Sequence, residues 1–352
     1  MKTGLVHLAA LLLAGACLAE SPRPTPFAAV KVNAIVSDAA IHTLHSSLLV
    51  FLSDSVLAYT FQSSPVDSSA QQHLIATFIV KPGSLSLLAQ NNAMPVSAHF
   101  GGLSRTADGK LVVATLPPLE RDVRIYDSRL SETYRFHAGS FFEMSPTGST
   151  ILVFIDKTPR LFRTAPVSQL ANIPTSPMTI SDNAFATQQG NSVLIYSFDG
   201  SRKGVVTISK KCVSHAHFLS PDRLYLNSCR PGWTQEIVDF SGQGLVRLAL
   251  PKGWGNNQSD AEGNRMVFDI FTESLWASIK GFKNLEDTAD GEAIRVIDTK
   301  TGNNCFSLNL PMDKAHEGPM HASISPSGKF VAIVNDENIA VFELPVGPCS
   351  GR

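Results

Sequence analysis

The sequence predicts an all-β protein, a seven-bladed β-propeller whose ring is closed by an N-terminal strand that completes the last blade. Three observations carry this expectation: a turn phrase that recurs along the chain, a third strand that follows each copy, and a period close to 40 residues. Four short strands in such a period are the pattern of a propeller blade.

The phrase is clearest in HASISPSGKFVAIVND, residues 321–336. It returns as LSRTADGKLVVAT (103–115), EMSPTGSTILVFI (143–155), TISDNAFATQ (179–188), HFLSPDRLYLNS (217–228) and, more loosely, QSDAEGNRMVFDI (258–270). Each copy has a few extended residues, a turn, and a second apolar or alternating strand. The turn chemistry is specific, because Pro presets φ, Asp or Ser bonds its own backbone, and Gly permits a positive φ. The third strands are VRIYD (123–127), RLFRT (160–164), VLIYSF (193–198), EIVDF (236–240), IRVID (294–298) and IAVFEL (339–344). A fourth follows in most copies: TYRFHA, GVVTIS, LVRLAL and CFSLNL. The turns begin near 106, 145, 181, 220, 260 and 325, so the spacing is 36–40 residues until one interval of 65. SLLVFLS, VLAYTFQ and HLIATFIV, between 47 and 80, supply one more blade upstream. The last blade lacks an outer strand, and AAVKVNAIV (28–36) is assigned to that place, which leaves no open sheet edge in the ring.

Through this repeated pattern of SPxG turn, apolar strand and xIYD-like strand, residues 28–346 resemble the WD-repeat and YVTN-type propeller superfamily. The blades carry no regular Gly-His or Trp-Asp dipeptides, so the resemblance is to the looser YVTN-type group. That group includes binding scaffolds, lactonases and subunits of quinoprotein dehydrogenases, so the resemblance implies a fold and leaves the function to be argued from a site.

The N-terminus, MKTGLVHLAALLLAGACLAES, has one Lys, an apolar run and then small residues, the layout of a secretory signal over 1–19. It is too short to span a membrane comfortably. An alternative cut before Cys17, in the lipobox-like Ala14-Gly15-Ala16-Cys17, would put a lipid on that cysteine and anchor the chain to the outside of a bacterial membrane. Residues 20–27 read as a Pro-rich linker and 347–352 as a tail. Beyond the leader lie Cys212, Cys229, Cys305 and Cys349, an even set that can pair fully in an oxidising compartment. Blade position predicts Cys212–Cys229 and Cys305–Cys349 disulfides. The expected location is therefore secreted or periplasmic.

The formal net charge of −1 gives no electrostatic reason to expect nucleic acid as a partner. In a propeller the loops joining strands two to three, and those leading to the next blade, share one end of the ring. All three Trp map to this loop face on two neighbouring blades. Trp233 lies in CRPGW with Arg230, Trp254 in PKGWGNN, and Trp276 in a long insertion in which Leu275, Ile279 and Phe282 form the apolar side of a short helix. Trp233, Trp254, Trp276, Arg230 and Phe282 are therefore the candidate ligand platform, for a protein, a peptide or a glycan. The competing reading is that each Trp packs its own loop.

Histidines gather toward the same face. His99, His215, His217 and His321 are candidate metal ligands through imidazole nitrogens, against a competing role in bonding backbone between blades. The acidic Asp54, Asp108, Asp182, Asp222 and Asp260 stand at repeat turns and are read as turn makers. The chain carries no G-x-S-x-G elbow, P-loop, G-x-G-x-x-G or C-x-x-C-H haem site, and no cofactor is expected. The expectation is a monomeric, exported, non-catalytic binding scaffold. The alternative is an enzyme of lactonase or quinoprotein-associated type with its site at the channel mouth.

Overall fold

The computed structural model describes residues 24–31, 44–63, 72–91, 103–114, 122–137, 142–173, 177–207, 213–228, 235–241, 243–248, 254–270, 292–309, 321–335, 338–347 and 349. Among the described residues every regular element is a strand, and the strands form seven four-stranded antiparallel sheets. Six sheets are built from consecutive strands, within residues 44–91 (blade 1), 103–136 (blade 2), 142–172 (blade 3), 179–207 (blade 4), 213–247 (blade 5) and 254–309 (blade 6).

Blade 7 takes three strands from the C-terminal end, His321–Ile324, Phe330–Asn335 and Asn338–Glu343, and its outermost strand, Ala28–Lys31, from the N-terminal end. Ala28 pairs with Val341 and Lys31 with Asn338. Phe27 extends the closure, since its N–H donates to Val341 O at 2.7 Å and its carbonyl accepts from Gly83 N at 2.8 Å in blade 1. Its ring also lies 4.9 Å from that of Phe330. The closing strand thus holds blade 7 together and ties it to its neighbour, which answers the edge problem that an open sheet would leave.

The two middle strands of each blade are covered on both faces by adjacent blades, so they read as nearly continuous apolar runs. Leu111–Ala114 is buried at every position. Outer strands have one wet side. Val167–Asn172, the outer strand of blade 3, is largely exposed, and its mixed VSQLAN sequence carries no clear strand signal.

Turns between first and second strands interlock around the ring, and this explains the repeated glycines. Gly148 has φ +78, and a Cβ there would stand 2.6 Å from Arg105 O on the preceding turn. Gly263 has φ +66, and a Cβ there would fall 1.8 Å from Leu219 O. At these positions both the left-handed backbone and the close approach require glycine. The approach is used for bonding, because Ala107 N donates to Gly148 O at 2.9 Å and Ala261 N donates to Pro326 O at 3.0 Å.

Candidate functional site

The first strand of each blade is the innermost and has a hydrogen-bonding partner on one side only. Its other edge would leave backbone N–H groups unpaired beside the central channel. One position of the repeat addresses this. It lies two residues before the turn in most blades, and three before it in blades 1 and 5, where a bulge precedes the turn. Around the ring it is occupied by Val50, Ser104, Glu143, Thr179, His217, Gln258 and Ser323.

Several of these side chains reach the next blade. Thr179 Oγ1 accepts from Phe218 N at 3.4 Å, Gln258 Oε1 from Ile324 N at 3.1 Å, and Ser323 Oγ from Phe51 N at 3.3 Å. His217 Nε2 lies 3.3 Å from Ser259 Oγ. Glu143 meets the Thr179 hydroxyl and the Ile180 N–H.

Two members of this ring have displaced proton affinities. Glu143 keeps some accessible surface, but protein closes round it, and burial pushes its carboxyl up to about 7 against the two hydrogen bonds. Burial holds the His217 imidazole down at about 3, with the nearby His215 adding to the effect. In each case removal from water disfavours the charged form. His217 is therefore a neutral imidazole at physiological pH, and Glu143 is a carboxyl poised near neutrality.

At the opposite, turn-bearing face a second network joins blades. Arg105, only 9% exposed, donates to Thr147 O at 3.3 Å and Pro146 O at 3.4 Å in blade 3. Burial lowers its pKa, opposed by the fields of Asp260 and Asp54. Asp182 Oδ1 accepts from both Thr147 Oγ1 and Ser149 Oγ at 2.7 Å. Arg223 Nη2 donates to Gly263 O at 3.2 Å, Arg265 Nη1 to Gly328 O at 2.8 Å, and Ser327 N to Asp54 Oδ1 at 3.2 Å. Asp260 accepts from Asn264 N and Arg265 N, while burial still raises its pKa. Asp108 and Asp222 accept from the hydroxyls of Thr106 and Ser220. The five turn aspartates thus shape turns or join them.

The sequence-predicted site residues separate sharply. His217 and His215 lie on the same inner strand, Val213–Ser220, with His215 exposed and its ring 6.4 Å from that of Tyr225. His321 begins the inner strand of blade 7, but its side chain lies outside the described residues, as does all of His99. No group of three metal-capable side chains stands together among the described residues. Trp254 opens the inner strand of blade 6, opposite Ile270, its side chain again outside the described set. Trp233, Trp276, Arg230, Phe282, Cys17, the Cys212–Cys229 pair and the insertion helix all fall outside the described residues.

Cys305 and Cys349 form a disulfide with Cα atoms 4.8 Å apart, joining the outer strand of blade 6 to the C-terminal tail. Asn303 Nδ2 donates to Cys349 O at 2.9 Å, and Arg265 Nη2 donates to the carbonyls of Pro345 and Gly347. The tail is therefore fastened to blade 6, through its second strand and its outer strand. Sequence reasoning missed the ring partners Glu143, Thr179, Gln258 and Ser323 and the turn-bridging Arg105, Arg223 and Arg265. The signal for the ring was a recurring polar residue in one column of the repeat.

No protein-family model matches the chain, and no curated protein matches it. Among solved structures it is similar to the C-terminal WD40 domain of Sif2, with a TM-score of 0.52 and 10% identity over 87% of this chain and 98% of that one. It is also similar to the Neurospora crassa Pan2 WD40 domain, with a TM-score of 0.57 and 14% identity over 95% of this chain and 99% of that one. The chain is a seven-bladed β-propeller of WD40-like fold. At these identities the likeness concerns architecture.

Proposed function

We propose that this protein is an exported, non-catalytic propeller scaffold that holds a protein or peptide partner on its loop face, near blades 5 and 6. The observation that carries the scaffold reading is the use made of the inner polar ring. Thr179, Gln258 and Ser323 bond backbone of the next blade, and His217 turns to Ser259. Polar groups engaged in this way fix blade against blade. They leave recognition to the loops, which is how rigid scaffolds divide labour. The resemblance to propellers that serve as binding scaffolds agrees with this, and the three Trp with Arg230 and Phe282 supply the residue types of interaction hot spots.

Export is supported by the leader-like N-terminus together with the Cys305–Cys349 disulfide, since such bonds persist in oxidising compartments. Mass determination of the mature protein distinguishes cleavage after Ala19 from a lipidated Cys17.

The enzyme alternative has one observation in its favour, the carboxyl of Glu143 near 7, which is where a general acid or base works best. Metal analysis of protein purified without an affinity tag, and activity of Glu143→Gln toward lactones, test it.

The binding reading is tested by quantitative capture of proteins from the exported fraction of the source cells. Wild type is compared with a Trp233→Ala, Trp254→Ala, Trp276→Ala triple variant. The expected result is selective loss of specific captured proteins with a nearly unchanged melting temperature. Equal capture by both proteins sinks the loop-face assignment.

A further inference from the structure

A cleft of about 290 Å³ opens on the turn face between blades 3 and 4, at the opposite end of the ring from the loop face. That volume is near the lower end of small-ligand pockets, which run from roughly 300 Å³ upward. Its walls are turns and short strand ends, among them Ser149, Arg163, Leu170, Asp182, Asn183 and Phe198.

Two opposite charges line this cleft without neutralising each other. Arg163 is exposed on the third strand of blade 3, opposite Thr150, and its side chain forms no hydrogen bond or ion pair among the described residues. Asp182, at the first turn of blade 4, makes no ion pair among the described residues. Its Oδ1 is fixed by the Thr147 and Ser149 hydroxyls, each at 2.7 Å, while Oδ2 has no partner among the described residues. A carboxylate held this way loses little further freedom on binding a cation. Leu170, 38% exposed, and Phe198, half-buried, add apolar surface to the same walls.

A cation and an anion in one small site disfavour a simple ion of either sign, because whichever charge attracts it, the other repels it. They favour a molecule that carries both. We propose that this cleft binds an α-amino acid with an apolar side chain, its ammonium on Asp182, its carboxylate on Arg163 and its side chain against Leu170 and Phe198. The Arg fork suits the carboxylate, which it can grip through two parallel N–H donors. The site is independent of the loop-face partner, so either assignment can fail alone.

Titration calorimetry of the full chain with L-leucine and L-methionine tests the assignment, with N-acetyl-L-leucine and L-leucinamide as ligands that each lack one charge. The expected result is saturable binding of the free amino acids, weakened about tenfold or more in both analogues, the equivalent of one charge-assisted contact. Arg163→Gln, at an exposed position whose side chain has no described partner to lose, is expected to weaken leucine binding about tenfold while leaving the melting temperature unchanged. Asp182→Asn is expected to weaken it similarly, and circular dichroism checks that the blade 3 to blade 4 contact survives. Three results would overturn the proposal: no saturable heat at millimolar amino acid, unchanged binding in Arg163→Gln, or equal binding of N-acetyl-L-leucine. The last would assign the cleft to the C-terminal residue of a peptide.

Discussion

The carboxyl of Glu143 on the inner strand of blade 3 faces the hydroxyl of Thr179 on the inner strand of blade 4, and that hydroxyl in turn accepts the N–H of Phe218 in blade 5. Three blades are linked through one side chain with no exposed surface. The chain of bonds runs along the channel wall, where the innermost strands would otherwise leave amides unpaired.

Glu143 gives this wall a pH dependence. Its folded pKa is raised, to about 7 from the ordinary 4.5, so the folded state favours the protonated form. The stabilisation is complete below the unfolded value and is lost as pH rises from about 4.5 to 7, at ~1.4 kcal/mol per pH unit across that window before solvent screening. Urea denaturation at pH 5 and pH 8 should show Glu143→Gln gaining stability relative to wild type at the higher pH. A wild-type-minus-variant difference that is flat with pH would refute this.

His217 acts in the opposite direction. Its folded pKa is depressed to about 3, so the unfolded chain takes up a proton that the folded chain refuses. Stability should fall as pH drops from 6.5 toward 3. Replacing His217 by Gln should flatten the acid limb of a plot of stability against pH. NMR titration of the imidazole gives an independent reading, and a midpoint near 6.5 would rule out the burial effect.

The turn glycines offer a graded comparison. Gly83 and Gly263 both have positive φ, +75 and +66, but a Cβ at Gly83 meets nothing within 4 Å, whereas one at Gly263 overlaps Leu219 O. Gly83→Ala should cost about 1 kcal/mol from backbone strain alone. Gly263→Ala should cost about 3 kcal/mol or more, because the blade 5 to blade 6 turn contact must also open. Thermal unfolding of the two variants checks the order.

The repeat was readable because its turns use residues with few alternatives. Gly109, Gly148, Gly263 and Gly328 all take the positive φ that the phrase implied. The closing strand was readable because the last blade was one strand short, although among the described residues only Ala28–Lys31 of the expected 28–36 pairs there. The outer strand of blade 3 escaped notice because VSQLAN is wet on most sides and carries little apolar pattern. The inner ring escaped for a different reason. Glu143, Thr179, Gln258 and Ser323 look unrelated when each copy is read alone, and they become a set only when the copies are stacked. Arg163 and Asp182 come from different blades, so only the folded ring brings them to one cleft.

The Cys305–Cys349 bond closes a 44-residue separation. On the chain-entropy relation its removal costs about 4 kcal/mol, and measured losses run from about 2 kcal/mol. Cys305→Ser, Cys349→Ser protein should therefore unfold at lower urea than wild type, and the difference should vanish when both proteins are unfolded in reductant. An unchanged midpoint would mean that Arg265 and Asn303 suffice to hold the tail.

A polar-bonded ring that presents a partner on its loop face around blades 5 and 6 should show the partner's footprint there and nowhere else. Hydrogen–deuterium exchange of the protein alone and with a captured partner reads that footprint. The expected result is new protection in 229–234, 249–254 and 271–291, with inner strands Val213–Ser220 and His321–Ile324 equally protected in both states. Protection on the first-to-second-strand turns instead, with those three segments unchanged, would place the partner on the wrong face and end the loop-face assignment.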